Sequence, residues 1–160
     1  MEVKFKDLVY DILTNENFIK MKGYIHHQNV STYKHSLGVA YLCYKYHIKK
    51  KPSYDIKEFV RGALLHDYYL YDWHHKGEGH RFHGFRHPRF AYNNAKKDFE
   101  ITPMMKDIIL HHMFPLTIIP PHTRAGWRVV YFDKVIAFKD YKRKKKKRWV
   151  KSSLLSLWTE

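Results

Sequence analysis

A chain of 160 residues is long enough to bury a real core, and its 44% hydrophobic content excludes a largely disordered polypeptide. Its single cysteine, Cys43, excludes an internal disulfide framework and a cysteine-based zinc site; seven glycines and six prolines argue against a loop-rich sandwich. The formal net charge of +15 predicts anionic partners: phosphorylated small molecules, nucleic acid or acidic surfaces.

In chain order, Phe5, Leu8, Val9, Ile12 and Leu13 recur at helical spacing, and Asn15 is placed to cap a second short helix through Phe18, Ile19 and Met21. Ser31 reads as the N-cap of a long helix to about Ile48, closed by Lys49-Lys50-Lys51-Pro52. Ser53 or Asp55 opens the next helix, which carries Phe59, Val60, Ala63, Leu64 and Leu65 up to His66-Asp67. Residues 71–86 form a polar, aromatic, histidine-rich loop, after which His87 caps a helix whose first residue is Pro88 and which ends near Phe99. Thr102-Pro103 opens a helix ending at His111-His112, and Pro115, Pro120 and Pro121 make the following segment a rigid loop. Helical periodicity resumes from Trp127 to about Tyr141, and a last amphipathic helix is expected over about 149–158. No stretch shows sustained strand alternation, so the expected class is all-α. The absence of repeats and linkers predicts one domain over 1–160.

The start of the chain, Met1 to Asp7, is charged and lacks an apolar leader segment; no apolar run approaches the length of a bilayer span. A cytoplasmic protein is expected.

Most of the chemistry-bearing residues fall at helix ends. His35 lies in the first turns of one helix and His66-Asp67 ends the next. His87 precedes another, His111-His112 ends a fourth, and Asp133 lies within the last long helix. Neutral imidazoles and carboxylates suit divalent transition ions, and helix ends let several helices deliver side chains to one point. Adjacent ligands such as His66 and Asp67 require a helix that is ending, because neighbours in a regular helix diverge by roughly 100°.

The segments YKHSLGVAYLCYKY, GALLHDYYLYDW, HGFRHPRFAYNNA, IILHHMFPLT and VVYFDKVIAF, in this order over about Ser31 to Phe138, resemble the HD superfamily of metal-dependent phosphohydrolases. The resemblance implies a helical bundle with the metal site between helix ends, and one or two divalent ions (Fe, Mn, Zn, Co, Ni or Mg). His87-Pro88 and His111-His112 match the extra His-Pro and His-His of two-metal members. By that analogy, His35, His66, Asp67 and Asp133 hold one ion. His87, His111 and His112 hold a second, with Asp67 bridging. The implied reaction is water attack at phosphorus, with Asp67 and Lys134 as the candidate catalytic residues. His83 competes with His87 for the ligand position and is otherwise a candidate substrate contact. Lys34, Arg86 and Arg124 are further candidates for binding substrate phosphate.

Other histidines carry weaker expectations. His26, His27 and His122 are placed to line the mouth of the site, with loop residues of no role as the alternative; His74, His75 and His80 read as exposed, and His47 as solvent-facing. Tyr68, Tyr69, Tyr71 and Trp73 are expected to pack in the core or to form a base-stacking wall. The run Lys142 to Arg148 is a polybasic patch, either a solvated surface or a contact for nucleic acid.

The functional expectation is a phosphohydrolase acting on a small phosphorylated molecule, a nucleotide first among them. The alternative is an HD module that binds nucleotide or nucleic acid with little turnover. The His111-His112-Met113-Phe114-Pro115 sequence lacks the Gly-Tyr-Pro element of the cyclic-di-GMP phosphodiesterases that the resemblance includes, which counts against that substrate.

Overall fold

A computed structural model describes residues 3–27, 30–72 and 82–142. Seven α-helices lie within them: α1 (Phe5–Thr14), α2 (Glu16–Lys20), α3 (Thr32–Lys50), α4 (Ile56–Leu65), α5 (His83–Asp98), α6 (Pro103–His111) and α7 (Arg124–Lys142). The all-α expectation holds, with one small addition. Strands β1 (Ile25–His27) and β2 (Val30–Ser31) pair antiparallel, Ile25 opposite Ser31 and His27 opposite Val30. Strands this short have no alternation for a sequence to display.

Capping chemistry sets most of the helix starts. Asn15 Oδ1 accepts from the amides of Asn17 and Phe18 to open α2. Ser31 Oγ accepts from Lys34 N at the head of α3, and Asp55 Oδ1 from Glu58 N at the head of α4. Thr102 Oγ1 accepts from Met105 N, with Pro103 the first residue of α6. At the other end of α3, Lys51 turns left-handed (φ 45°) and returns its N–H to His47 O at 2.8 Å; Pro52 then prevents continuation.

Two starts differ from the expected ones. Helix α5 begins at His83 and holds Pro88 inside it, so His87 is a helical residue and not a cap. Pro88 is close enough to the start that only one early intrahelical bond is lost, and the chain enters the helix through Phe82 in the left-handed region (φ 64°). Helix α7 starts at Arg124, ahead of Trp127, because Asp107 of α6 accepts from the Thr123 amide and hydroxyl and so organises the entry.

Helix α4 is the centre of the packing. Every residue from Phe59 to Leu65 is buried, including Arg61, whose guanidinium forms a two-pronged pair with Asp11 at 2.6 and 2.8 Å. A helix buried on all sides must be surrounded, and α4 packs against α1, α3, α5 and α6. Gly62 permits the α6 approach: a Cβ there would meet Ile108 Cδ1 at 2.8 Å and Met105 Cα at 3.3 Å. Full burial of each of Phe59, Leu64 and Leu65 contributes roughly 1.5–3 kcal/mol. This burial fixes where α4 ends. The residues that follow it, His66 and Asp67, therefore emerge in the interior, at 0% and 2% exposure.

Candidate metal centre

Five elements converge on Asp67. His35 comes from the first turn of α3, which packs along α7, and its Nε2 lies 2.9 Å from Asp133 Oδ1 and 3.9 Å from Asp67 Oδ2. His66 Nε2 lies 3.3 Å from Asp67 Oδ2 and 3.7 Å from Asp133 Oδ1. On the other side of the carboxylate, His87 Nε2 and His112 Nε2 approach Asp67 Oδ1 at 3.1 and 3.4 Å. Strand β1 supplies His26, whose Nε2 is 2.7 Å from Asp67 Oδ2 and whose ring stacks on that of His35 at 3.9 Å.

The outer ring nitrogens decide what the inner ones present. His66 Nδ1 donates to Ala63 O (2.7 Å), His87 Nδ1 to His83 O (3.0 Å) and His112 Nδ1 to Ile109 O (2.9 Å). A carbonyl can only accept, so each Nδ1 carries a proton and each ring aims its Nε2 inward, as a lone pair whenever the ring is neutral. His35 Nδ1 faces the Asp140 carboxylate at 3.3 Å, the carboxylate–histidine arrangement common behind metal ligands.

With neutral rings the consequence is a set of lone pairs facing lone pairs. His87 Nε2 and His112 Nε2 stand 2.8 Å apart, a contact that neutral rings tolerate only with a proton or cation between them. His66 Nε2 and Asp67 Oδ1 are buried and make no hydrogen bond of acceptable geometry. Two groups meet the distances for a shared ion around the central pair, His35-His66-Asp133 and His66-Asp67-His112, and His26-His35-Asp67 forms a third. The donor set is nitrogen and carboxylate oxygen, which suits the mid-to-late first-row divalent ions.

A family model for the HD domain matches residues 32–147, well over half of the chain. The chain belongs to the HD family. No curated protein and no solved structure matches it. HD membership places the chain in a superfamily of metal-dependent phosphohydrolases, and its buried His and Asp groups fit the divalent ions that such domains bind.

Charge in the metal-free HD site balances internally. Burial opposes charge on His35, yet hydrogen bonds to Asp133 and Asp140 push its imidazole up to about 9. Burial likewise opposes charge on His66, and the field of Asp67 together with Asp133 raises it to about 10. Asp67 and Asp133 are held well below the usual carboxylate range, burial notwithstanding, by the same histidines with His112 and His87 adding to Asp67. His112 is lowered, by burial first and then by the charges of His66 and His87, and so is the more readily neutral ligand.

His35, His66, Asp67, His87, His112 and Asp133 thus lie together, whereas His111 does not join them. Its Nδ1 turns to Asp107 Oδ1 at 2.8 Å, and its ring lies against that of His122. The physical reason is the helical step: at the end of α6, neighbours point about 100° apart, and His112 takes the inward direction. His83 stacks behind His87 at 4.6 Å and receives or gives a hydrogen bond with Tyr71 Oη, so it supports the inner ring and does not replace it.

The outer candidates divide in a similar way. Lys34 and Arg86 are exposed, each one residue before a cluster histidine, and Arg86 lies over the Phe90 ring. Lys134 is exposed on α7, a helical step away from the direction of Asp133. Arg124 is not at the centre; it begins α7 and lines a separate cavity with Tyr46 and Tyr54. Tyr68 and Tyr69 are core residues: Tyr68 Oη donates to Asp98 at 2.6 Å, and Tyr69 Oη bonds Thr32 Oγ1. His47 is partly buried, with its Nε2 on Tyr54 O. The expectations for Trp73, His74, His75, His80, the basic run beyond Lys142 and the 149–158 helix, and for the His27 side chain, fall outside the described residues.

Sequence reasoning gave His26 only a place at the mouth of the site and missed Asp140 and Asp107. Asp140 had a readable signal: it follows Asp133 by two helical turns and so shares its face. Asp107 precedes His111 by one turn, the spacing of an i,i+4 pair. His26 had no such signal, because β1 is three residues long and Asp67 lies far along the chain.

No helix among the described residues is long and apolar enough to cross a membrane.

Proposed function

We propose that this HD protein hydrolyses a phosphate ester or anhydride of a small molecule, a nucleotide being the favoured class, with one or two divalent ions as cofactor. The single observation that carries the reading is the buried set of inward Nε2 atoms around Asp67, above all those of His87 and His112 at 2.8 Å. His35, His66, Asp67 and Asp133 would hold one ion, and Asp67, His87 and His112 the other. Bound divalent ions lower the pKa of water and offset charge on phosphoryl oxygens.

The chain's own residues supply the rest. Asp67 faces His66 and His26 with one oxygen and the His87–His112 pair with the other, so its carboxylate is the common wall of both halves. His26, half-buried with its Nε2 on Asp67, is the group on that carboxylate nearest the exterior and is suited to hold or pass a proton there. Asp140 orients His35. Lys34 and Arg86 are the cations flanking the cluster and would bind substrate phosphate, in keeping with the basic charge of the chain.

The experiment is a phosphate-release screen over nucleotides and generic phosphate esters, with manganese, iron(II), zinc, cobalt, nickel and magnesium compared. Ion-dependent hydrolysis that disappears in Asp67→Asn, while helical content is kept, is the expected result. Metal-loaded protein that binds nucleotides tightly and releases no phosphate from any of them would replace this reading with the binding module.

A further inference from the structure

A second concave site lies at the opposite end of α3 from His35. Tyr46, Pro52, Tyr54, Arg124, Trp127 and Arg128 line a cavity of about 440 Å3, in the size range of small-ligand pockets. Tyr46 lies eleven positions beyond His35 on α3, a run of about 16 Å at the helical rise. Among the described residues the lining contains no imidazole and no carboxylate, the usual metal ligands and general bases.

Its chemistry is cationic and aromatic. Arg124 and Arg128 are one turn apart at the start of α7, both exposed, and neither is held by a carboxylate among the described residues. The Arg128 guanidinium lies over the Tyr46 ring at 4.8 Å, which fixes its plane and leaves its edge N–H groups for a ligand. Trp127 meets Phe114 edge-on and remains 47% exposed. Tyr54 Oη is buried without a hydrogen-bond partner of good geometry, with the Tyr46 phenol beside it. Burial holds the Tyr54 phenol up at about 12, so it is a donor at neutral pH. Lys49, Lys50 and Lys51, exposed at the end of α3 next to Pro52, add positive field on the same side.

We propose that this cavity binds a nucleotide unit, with phosphate on the Arg124–Arg128 fork and the base against the exposed Trp127 ring. Two guanidinium groups that meet no carboxylate among the described residues select an anion, and the aromatic part of the wall selects a flat ring attached to it. The site binds and does not hydrolyse. It stands whether or not the metal centre turns over nucleotides.

The same nucleotide chemistry can come from a free nucleotide or from one unit of a single strand, and two titrations of the full chain separate these sources. One uses the methylenephosphonate analogue of AMP, which the metal centre cannot consume; the other uses a short single-stranded oligonucleotide of mixed sequence. Tryptophan quenching and calorimetry report binding to wild type and to an Arg124→Ala/Arg128→Ala variant, whose altered residues are exposed and whose unfolding midpoint and metal content are checked. Binding of the analogue, weakened at least about tenfold in the variant, upholds a free nucleotide as ligand. Binding of the strand alone with the same arginine dependence upholds a strand as the source. The proposal is overturned if neither ligand binds, if the variant binds as wild type does, or if inorganic phosphate binds as tightly as the analogue.

Discussion

Two histidine–aspartate clusters lie a few residues apart in this molecule and have opposite electrostatic designs. Around Asp67, the outer nitrogens of His66, His87 and His112 are tied to carbonyls, and the inner ones crowd one another with lone pairs. Around Asp107, the carboxylate is saturated: Oδ1 accepts from His111 Nδ1, His122 Nδ1 and the His122 amide, and Oδ2 accepts from the Thr123 amide and hydroxyl. Both clusters bring three potential ligands within reach of one ion. Proximity and residue type therefore do not distinguish them. What does is where the second nitrogen of each ring goes. The inner arrangement needs protons or cations among its inward nitrogens, whereas the outer one is already complete as a staple between α6 and the head of α7.

The largest expected effect comes from breaking the inner cluster. Asp67→Asn should lower any ion-dependent hydrolysis by on the order of 10^3-fold or more, since several kcal/mol of transition-state stabilisation depend on the ions it shares. Calorimetric metal titration should show the loss of binding directly. Its counterpart in the outer cluster, Asp107→Ala, should instead cost about 2–4 kcal/mol of folding stability by stranding several donors, with metal stoichiometry unchanged in urea melts of the loaded protein. Exchange of the two phenotypes would dissolve the distinction.

Asp140→Asn probes the support behind the inner cluster. It should weaken metal affinity about 10–100-fold while leaving the other ligands in place, and wild-type affinity would remove Asp140 from that role.

pH should separate the clusters as well. In metal-free protein, His35 and His66 have folded values of about 9 and about 10, above the ordinary 6.5. Their stabilisation is complete below pH 6.5 and is lost as pH rises through 9 to 10, while metal affinity climbs over the same window as their protons become easier to displace. Asp107 is held down at about 2, against burial, by its bonds to His122, Thr123 and His111. Its contribution is present above 3.8 and is lost as pH falls through about 2. Unfolding midpoints measured with and without chelator across pH test both limbs; a flat alkaline limb in the metal-free protein would contradict the charge balance assigned to the inner site.

The smallest effect is expected from His111→Gln. The His111 side chain hydrogen-bonds Asp107, which retains its other donors, so metal content should not change and stability should fall by no more than about 1 kcal/mol.

The helices were legible because caps are local. Asn15, Ser31, Asp55 and Thr102-Pro103 announce themselves within four residues of the bonds they make. The centre around His66-Asp67 was legible through the ordered HD motifs. His111 was misjudged because two adjacent histidines read as a pair in sequence but diverge on a helix, a constraint that applied to His111-His112 as fully as to His66-Asp67. His87 was expected at a cap because proline usually marks a first turn; the actual start at His83 rests on a left-handed Phe82, which no local rule favours. His26, Asp140 and Asp107 owe their roles to long-range packing of β1, α6 and α7, and only the last two left a periodic trace.

The contrast between the clusters is tested most directly by anomalous diffraction from crystals of manganese-reconstituted protein. Peaks among His35, His66, Asp67 and Asp133, or among Asp67, His87 and His112, with none at Asp107, His111 and His122, are the result predicted here. A peak at the outer triplet with the inner cluster empty would contradict it.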